Sequence, residues 1–144
     1  MASINTGKVI VGGLAAGLVM NVIDFVSNMY ILGDRMQAEM TALNPALWAN
    51  MNDMSRMPSY VAVDFVLGIL LVWTYAAIRP RFGPGAGTAM KAGLLFWLMG
   101  SAIFFYLTTA GMFSMGTFVF SGCLSLVNLL ASAWVGGKLY SEAA

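Results

Sequence analysis

The sequence contains no histidine and a single cysteine, Cys123. Without histidine, the chain lacks the usual protein ligand of haem, bacteriochlorophyll, zinc and copper. One cysteine cannot form a disulfide within the chain, nor a cluster of thiolates. The Ser–His and Cys–His pairs that activate a nucleophile are also missing. These absences favour a protein that is not an enzyme and that binds no metal or other cofactor.

Charge is equally sparse: 9% of the 144 residues are charged, whereas 60% are hydrophobic. A mean hydropathy of +0.81 is typical of membrane proteins. Four apolar stretches reach the roughly 20 helical residues that cross a bilayer core, and they lie near 9–31, 58–78, 89–110 and 114–137. We therefore predict an all-α integral membrane protein with one four-helix domain over 1–144. We expect no contact with nucleic acid.

The basic residues near the helix ends fall on one side of the membrane if all four stretches span it: Lys8, Arg79, Arg81, Lys91 and Lys138. Positive charge marks the cytoplasmic side, so both termini are expected there. The apolar run of the first helix is longer than that of a cleavable signal peptide. We therefore predict a multi-pass membrane protein with both termini on the cytoplasmic side.

The connection over 33–57 has an amphipathic pattern. Met36, Met40, Leu43 and Leu47 recur at helical spacing, and Trp48 follows at a position suited to headgroup depth. A break is expected at Asn44–Pro45. This pattern predicts a segment lying in the outer interface. Such a segment either covers the mouth of the bundle or binds a partner.

The connection between the second and third helices contains Gly83, Gly85 and Gly87 within five residues. A phosphate-binding loop is disfavoured because no Gly-Lys-Ser/Thr pattern follows. The glycines and prolines instead indicate a turn, with Thr88 as the expected N-cap of the third helix. Basic residues here favour contact with anionic lipid headgroups. The chain also has 12 methionines, whose main interpretation is soft packing, with a copper(I) site as the alternative.

Two helices carry a stripe of small and polar residues within roughly an 80° arc. In the first helix the stripe consists of Gly13, Gly17, Asn21, Asp24 and Asn28; in the fourth it consists of Ser121, Ser125, Asn128, Ser132 and Gly136. Small residues allow helix backbones to approach each other in a membrane. We predict that these helices pack directly, with a seam of Gly13, Gly17, Ser125, Asn128, Ser132 and Gly136. Depth matching pairs Asp24 with Ser121, Asn21 with Ser125, Gly17 with Asn128 and Gly13 with Ser132.

Asp24 and Asp64 are the two acids within the predicted spans, at similar predicted depths. A carboxylate in hydrocarbon is costly, so both acids are expected to face the bundle interior. Three states are open to these carboxyl groups: they are protonated, they accept hydrogen bonds from neighbouring side chains, or they bind a cation jointly. The candidate polar or ion site comprises Asp24, Asp64, Asn21, Asn28, Tyr60 and Ser121, with Thr108 as a further donor. Acid–base chemistry on a lipid-soluble substrate is a less favoured interpretation.

The chain resembles a group of small, uncharacterised bacterial inner-membrane proteins with four helices. The resemblance is carried by Asn21-Val-Ile-Asp24-Phe25-Val-Ser-Asn28, by the run from Trp73 through Arg79-Pro80-Arg81-Phe82-Gly83-Pro84-Gly85, and by Ala133-Trp134-Val-Gly136. In that group the first-helix acid is often glutamate, so Asp24 is a shorter variant. The resemblance implies a four-helix fold and a location in the bacterial inner (cytoplasmic) membrane, but no activity, cofactor or site residue.

The outer helix faces are rich in aromatic residues: Trp73, Phe96, Phe105, Phe113, Phe118 and Phe120. We also expect both chain ends to be ordered by neighbouring proteins. These features favour a non-enzymatic accessory subunit of a larger membrane assembly, in contact with lipid and with other subunits or further copies of itself. The alternative is a small proton- or cation-coupled transporter or channel that uses Asp24 and Asp64. Lipid or quinone binding is a third possibility.

Overall fold

A computed structural model describes residues 3–142, which contain helices and short connections. The elements are α1 (Thr6–Ser27), a π-helical segment (Asn28–Leu32), α2 (Gly33–Leu43), α3 (Pro45–Met51), a short 3₁₀ turn (Met54–Arg56), α4 (Met57–Phe82), α5 (Ala86–Thr109) and α6 (Met115–Leu139). Four helical stretches are long and apolar enough to cross a membrane. This confirms the predicted all-α class and the number of membrane-length helices.

The four long helices form a ring in which each neighbour runs antiparallel. α1 packs most extensively on α4 and α6, and α5 packs on α6 and α4. Short connections between consecutive helices favour this up-down-up-down arrangement. The predicted direct contact between the first and fourth spans is confirmed. Below, the end of the bundle that carries both termini is called the terminal end, and the opposite end the outer end.

The Gly13 and Gly17 face of α1 packs on α4. A Cβ atom at Gly13 would lie 2.5 Å from the Ile69 Cα, and one at Gly17 would lie 2.7 Å from the Phe65 Cα. A Cβ at Gly68 would lie 2.4 Å from the Gly13 carbonyl oxygen. The predicted pairing of Gly13 with Ser132 and Gly17 with Asn128 is therefore wrong. Gly68 supplies the matching gap in α4, which makes that helix the partner of this face.

A neighbouring face of α1 packs on α6. A Cβ at Gly12 would lie 2.7 Å from the Gly136 carbonyl oxygen. A Cβ at Gly136 would lie 2.4 Å from Val72 Cγ2 and 3.1 Å from Ala16 Cβ. Three helices thus meet at Gly136 with no space for a larger residue. This contact, with those of Gly13 and Gly17, closes the terminal half of the bundle.

The first helix is longer than predicted. It continues through the π-helical segment into α2, giving 38 helical residues from Thr6 to Leu43. At 1.5 Å per residue this length is about 57 Å, against about 30 Å for a bilayer core. The apolar stretch ends near Leu32, and polar α2 extends beyond it. The helix therefore continues past the predicted end of the span at 31, while the interfacial position of the segment 33–57 stays a prediction. The predicted break at Asn44–Pro45 is confirmed, since Asn44 caps α3.

The connection from α4 to α5 also differs from its prediction. α4 continues past residue 78 to Phe82 and ends at Gly83, whose φ of 81° favours glycine. Thr88 is not the N-cap of α5. Its hydroxyl donates to the Gly83 carbonyl at 2.7 Å, and the cap position falls on Gly85, which offers no side chain. The first turn of α5 therefore lacks a side-chain acceptor.

The chain ends are held by the chain itself. The Asn5 backbone N–H donates to the Tyr140 hydroxyl at 3.3 Å. Arg79 pairs with Glu142 at 3.2 Å and lies over the Tyr140 ring. The four terminal residues, to which the expectation of ordered ends also applies, lie outside the described residues. Order at Asn5 and Glu142 therefore has an internal cause and does not call for a neighbouring protein.

Some aromatic residues predicted on outer faces pack inside the outer end instead. Phe113 and Phe118 are half-buried, and their ring centroids lie 4.7 and 5.9 Å from that of Phe104. By contrast, Trp73, Phe105 and Phe120 remain exposed. The aromatic outer surface is therefore smaller than the composition suggests.

Candidate polar site in the outer half of the bundle

Asp24 is bound to α6 by a hydrogen bond inside the bundle. The Asn128 side-chain amide donates to Asp24 Oδ1 at 2.7 Å, and it also lies 3.4 Å from the Met20 carbonyl oxygen. Ser132 donates to Asn128 Oδ1 at 3.1 Å, one turn further along α6. Asn128 is 4% exposed and Ser132 is fully buried. The three side chains form one polar line from α1 into α6.

The partner of Asp24 was predicted as Ser121, which lies seven residues before Asn128 in α6. The prediction aligned the outer ends of the two helices at residues 31 and 114. Because the first helix continues to Leu43, the start of α6 lies instead opposite Glu39 in α2. The register between the helices moves by two turns as a result. The polar line was therefore present in the predicted stripes, but at the wrong register.

Asp64 lies on the α4 stripe that includes Gly68, Leu71 and Tyr75, all three of which are buried. The stripe faces the bundle interior, yet Asp64 itself is only half-buried, although its backbone carbonyl lies against Gly17 of α1. Within residues 3–142 its carboxylate accepts no hydrogen bond. The two acids therefore differ in kind, since one is bonded to a buried amide and the other has no side-chain partner in the described chain.

The depths of the two acids follow from the pairing of α1 with α4. Asn21 donates to the Val61 carbonyl at 3.3 Å, and Gly17 lies against Phe65. This register places Asp64 level with Leu18, about 9 Å from Asp24 along α1. Cα–Cβ bonds lean towards the N-terminus of each helix, so in antiparallel helices these two side chains lean towards each other. The carboxylates are therefore closer in depth than their Cα atoms.

The remaining predicted site residues do not join the acids. Asn21 bridges α1 and α4 through backbone carbonyls, with a second bond to the Gly17 carbonyl at 2.9 Å. Asn28 donates to the Asp24 backbone carbonyl at 2.8 Å. Tyr60 is 46% exposed, and neither it nor Ser121 makes a side-chain hydrogen bond within the described residues. Thr108 donates to its own helix at Phe104.

A second polar cluster, which the sequence analysis missed, joins α2 to the start of α6. The Glu39 carboxylate accepts hydrogen bonds from the Ser114 hydroxyl at 2.6 Å, the Thr117 hydroxyl at 2.7 Å and the Ser114 backbone N–H at 3.2 Å. Arg35 lies over the Phe120 ring at 5.6 Å. We call these residues the outer clamp. The signal available in the sequence was an Arg–Glu pair four residues apart, but Ser114 lies 75 positions further along the chain.

Glu39 lies in the polar extension of the first helix, beyond its apolar stretch. Partial burial acts to raise the pKa of Glu39, but hydrogen bonds from Ser114 and Thr117 and the charge of Arg35 lower it more, so its pKa lies below the usual 4.5. Glu39 is therefore ionised at neutral pH. The outer clamp works as a set of charge-assisted hydrogen bonds.

The two arginines near the outer end, Arg35 and Arg56, do not pair with Asp24 or Asp64. Arg56 lies 4.0 Å from Asp53, and Arg35 belongs to the outer clamp. Within the described part of the chain, no three His, Cys, Asp or Glu side chains are grouped so that they could hold a metal ion. The hydrogen bond from Asn128 is thus the one specific partner that the described residues give to either acid.

The class that these observations define is a four-helix bundle of membrane-spanning length, closed at the terminal end by glycine contacts and polar inside its outer half. No family model matches the chain, and neither does any curated protein or any solved structure in the comparisons. The resemblance to small bacterial inner-membrane proteins therefore stays a prediction.

Proposed function

We propose that this chain is a non-enzymatic accessory subunit of a larger assembly in the bacterial inner membrane, with both termini in the cytoplasm. Helices of the partner would cover the outer half of α4 and α5. A second copy of the chain is the simplest such partner, and a different membrane protein is the other form of the same proposal.

The surface concerned is open in the single chain. Every residue of α4 from Met57 to Val63 is exposed, and on the outer half of α5 Ile103 and Tyr106 are 65% and 70% exposed. Apolar exposure of this kind is ordinary against lipid. The exposed surface of α4 and α5 is therefore compatible with a partner helix and also with lipid alone.

Asp64 is the observation that carries the proposal. It lies within an apolar helix, is half-buried, and accepts no hydrogen bond within residues 3–142. An ionisable side chain at membrane depth is normally paired, because its transfer into hydrocarbon costs at least about 2.5 kcal/mol near the membrane centre. A donor or cation from another chain, entering at the open outer half, would supply the missing partner.

Photo-crosslinking from within native membranes tests this directly. A benzophenone amino acid replaces Tyr60 on the open face of α4, and in a matched control it replaces Leu18, which is 58% exposed on α1. We expect a discrete protein adduct from position 60 and lipid adducts from position 18. Mass spectrometry of the adduct identifies the partner or a second copy. Lipid adducts alone from both positions would overturn the proposal.

Migration of the native protein gives an independent test. After solubilisation in mild detergent, a subunit migrates well above the 15.4 kDa of the chain and brings the same partner on repeated isolation. A monomeric species in every mild detergent would contradict the proposal. Association that is lost in Asp64→Leu and kept in Asp53→Leu would assign the contact to the membrane acid.

A proton- or cation-coupled transporter or channel remains the second candidate. It is favoured by the depths of the two acids, whose Cα–Cβ bonds lean towards each other along the bundle axis. Purified protein in liposomes would show a cation or proton flux that is abolished by Asp24→Asn and by Asp64→Asn. Absence of flux in the wild-type chain, or flux unchanged in both variants, would contradict this function.

A further inference from the structure

A shallow groove lies at the terminal end between the start of α5 and the end of α6. Its volume is about 240 Å³, and its lining comprises Gly85, Ala86, Ala89, Trp134, Gly137 and Lys138. Small side chains form its floor, because a Cβ at Gly137 would lie 2.9 Å from Ala89 Cβ. Apart from Lys138, the lining side chains are apolar or absent. The groove is thus an apolar slot with one cation at its rim.

Lys138 is exposed, and its side chain lies over a neighbouring aromatic ring. Lys138 Nζ lies 3.7 Å from the centroid of the Trp134 ring, a distance typical of a cation–π contact. The start of α5 faces the same groove and has no side-chain cap. The positive end of its helix dipole adds to the charge of Lys138. The rim of the groove therefore favours an anion, whereas its floor favours hydrocarbon.

The charge of the surrounding surface has the same sign. Arg81 is exposed in the last turn of α4, and Lys91 lies 4.3 Å from the centroid of the Phe82 ring. Tryptophan and lysine at a helix end are typical of the headgroup region of a bilayer. A ligand that suits this place must combine an apolar chain with a negative headgroup and must reach the groove from the membrane.

We propose that this groove binds an anionic phospholipid, with part of one acyl chain against Ala86, Ala89 and Gly137 and the phosphate beside Lys138. Basic pockets between membrane helices recognise anionic headgroups in this manner. The site is independent of the proposed subunit role, because its lining includes neither Asp64 nor the exposed start of α4.

Lipid retention by the purified protein tests the site. The full chain is exchanged into detergent containing phosphatidylglycerol or phosphatidylcholine, and bound lipid is counted by native mass spectrometry. We expect phosphatidylglycerol to be preferred about fivefold, since one cation contributes about that factor at a membrane surface. Lys138→Gln abolishes the preference. Lys91→Gln, which removes a cation at the same end but outside the groove, keeps it.

A second pair of variants separates the contribution of the apolar groove to lipid retention from that of the Lys138 charge. Ala86→Leu fills the exposed start of the groove and should reduce retention of both lipids. Gly87→Leu, in the same helical turn with open space around it, should leave retention unchanged. Equal lipid preference in Lys138→Gln and wild type would overturn the proposal. Displacement of phosphatidylglycerol by millimolar inorganic phosphate would also overturn it, because the site would then be a simple anion site.

Discussion

The terminal and outer halves of this bundle hold their helices together by different means. In the terminal half, glycines let the backbones of α1, α4 and α6 approach until no side chain fits between them, as at Gly13, Gly68 and Gly136. In the outer half, side-chain hydrogen bonds join the helices. Asn128 reaches Asp24, Glu39 reaches Ser114 and Thr117, and Trp97 donates to the Gly122 carbonyl at 2.8 Å.

The difference shows where this fold is rigid and where it is adaptable. Backbone contacts at glycine have no rotamers to change, so the terminal half has one packing. Side-chain hydrogen bonds in membranes contribute on the order of 0.6 kcal/mol each, so the outer half is held by a few modest interactions. The exposed start of α4 lies in the outer half, and Asp64 lies where the two halves meet, against Gly17. Partner binding is therefore expected at the half whose internal contacts are weaker.

The largest expected effect comes from breaking the terminal half. Gly68→Ala places a Cβ 2.4 Å from the Gly13 carbonyl oxygen, and such overpacking lowers the free energy of unfolding by about 3 kcal/mol. Unfolding in mixed micelles, followed by circular dichroism, measures this change. Gly100→Ala is the control, because a Cβ there meets nothing within 4 Å. Equal stability of the two variants would contradict the close packing of α1 on α4.

The next effect concerns the polar line in the outer half. Asn128→Leu removes the donor to Asp24 and should lower the free energy of unfolding by about 1.5 kcal/mol. A double-mutant cycle with Asp24→Leu isolates the pair, with an expected coupling of about 1 kcal/mol. Ser125→Ala is the control, since that hydroxyl donates to Gly122 of its own helix. Additive effects of the two leucine variants would refute the Asp24–Asn128 bond.

A smaller effect follows from opening the outer clamp. Glu39→Gln removes the negative charge that accepts from Ser114 and Thr117. We expect amide exchange in α2 to rise about fivefold, as for the loss of about 1 kcal/mol in a charge-assisted hydrogen bond near the surface. Hydrogen-exchange mass spectrometry resolves α2 from the rest of the chain. Asp34→Asn, on the same helix and exposed, should leave exchange unchanged.

The pH dependence of amide exchange in α2 provides a second test of the role of Glu39. The pKa of Glu39 is lower in the folded chain than its ordinary value of 4.5, so the clamp stabilises α2 fully above pH 4.5. That stabilisation is lost as pH falls through the lower, folded-state pKa. Protection of α2 should therefore decrease in acid in the wild-type chain and stay flat in Glu39→Gln. The same acid dependence in both chains would assign the effect to another group.

The smallest expected effect on the isolated chain is that of Asp64→Asn. No hydrogen bond within the described residues is lost, so the free energy of unfolding in detergent should change by less than about 0.5 kcal/mol. Asp24→Leu, by comparison, should destabilise the same preparation measurably. A large loss of stability in Asp64→Asn would show that this carboxylate already has a partner inside the single chain, and it would weaken the proposed subunit role.

Hydropathy and length were sufficient to predict four membrane-length helices, and the small-residue stripes predicted contact between the first and fourth. The face and register of that contact were not predictable in the same way. Gly13 and Gly17 suit any helix with a complementary gap, and Gly68 of α4 supplied it. The end of the first helix was misplaced because apolarity decreases near Leu32 while helical hydrogen bonding continues into α2. The outer clamp was missed for the same reason.

The hydrogen bond between Asp24 and Asn128 joins residues 104 positions apart. A ribosome adds about 5–20 residues per second, so α1 is made about 5–20 s before the amide that will bind its carboxylate. During synthesis, α1 therefore enters the membrane before the Asn128 amide that binds Asp24 has been made. Release of α1 from the insertion machinery should accordingly wait for the last helix, and chains truncated before Asn128 should be recognised as incomplete and degraded.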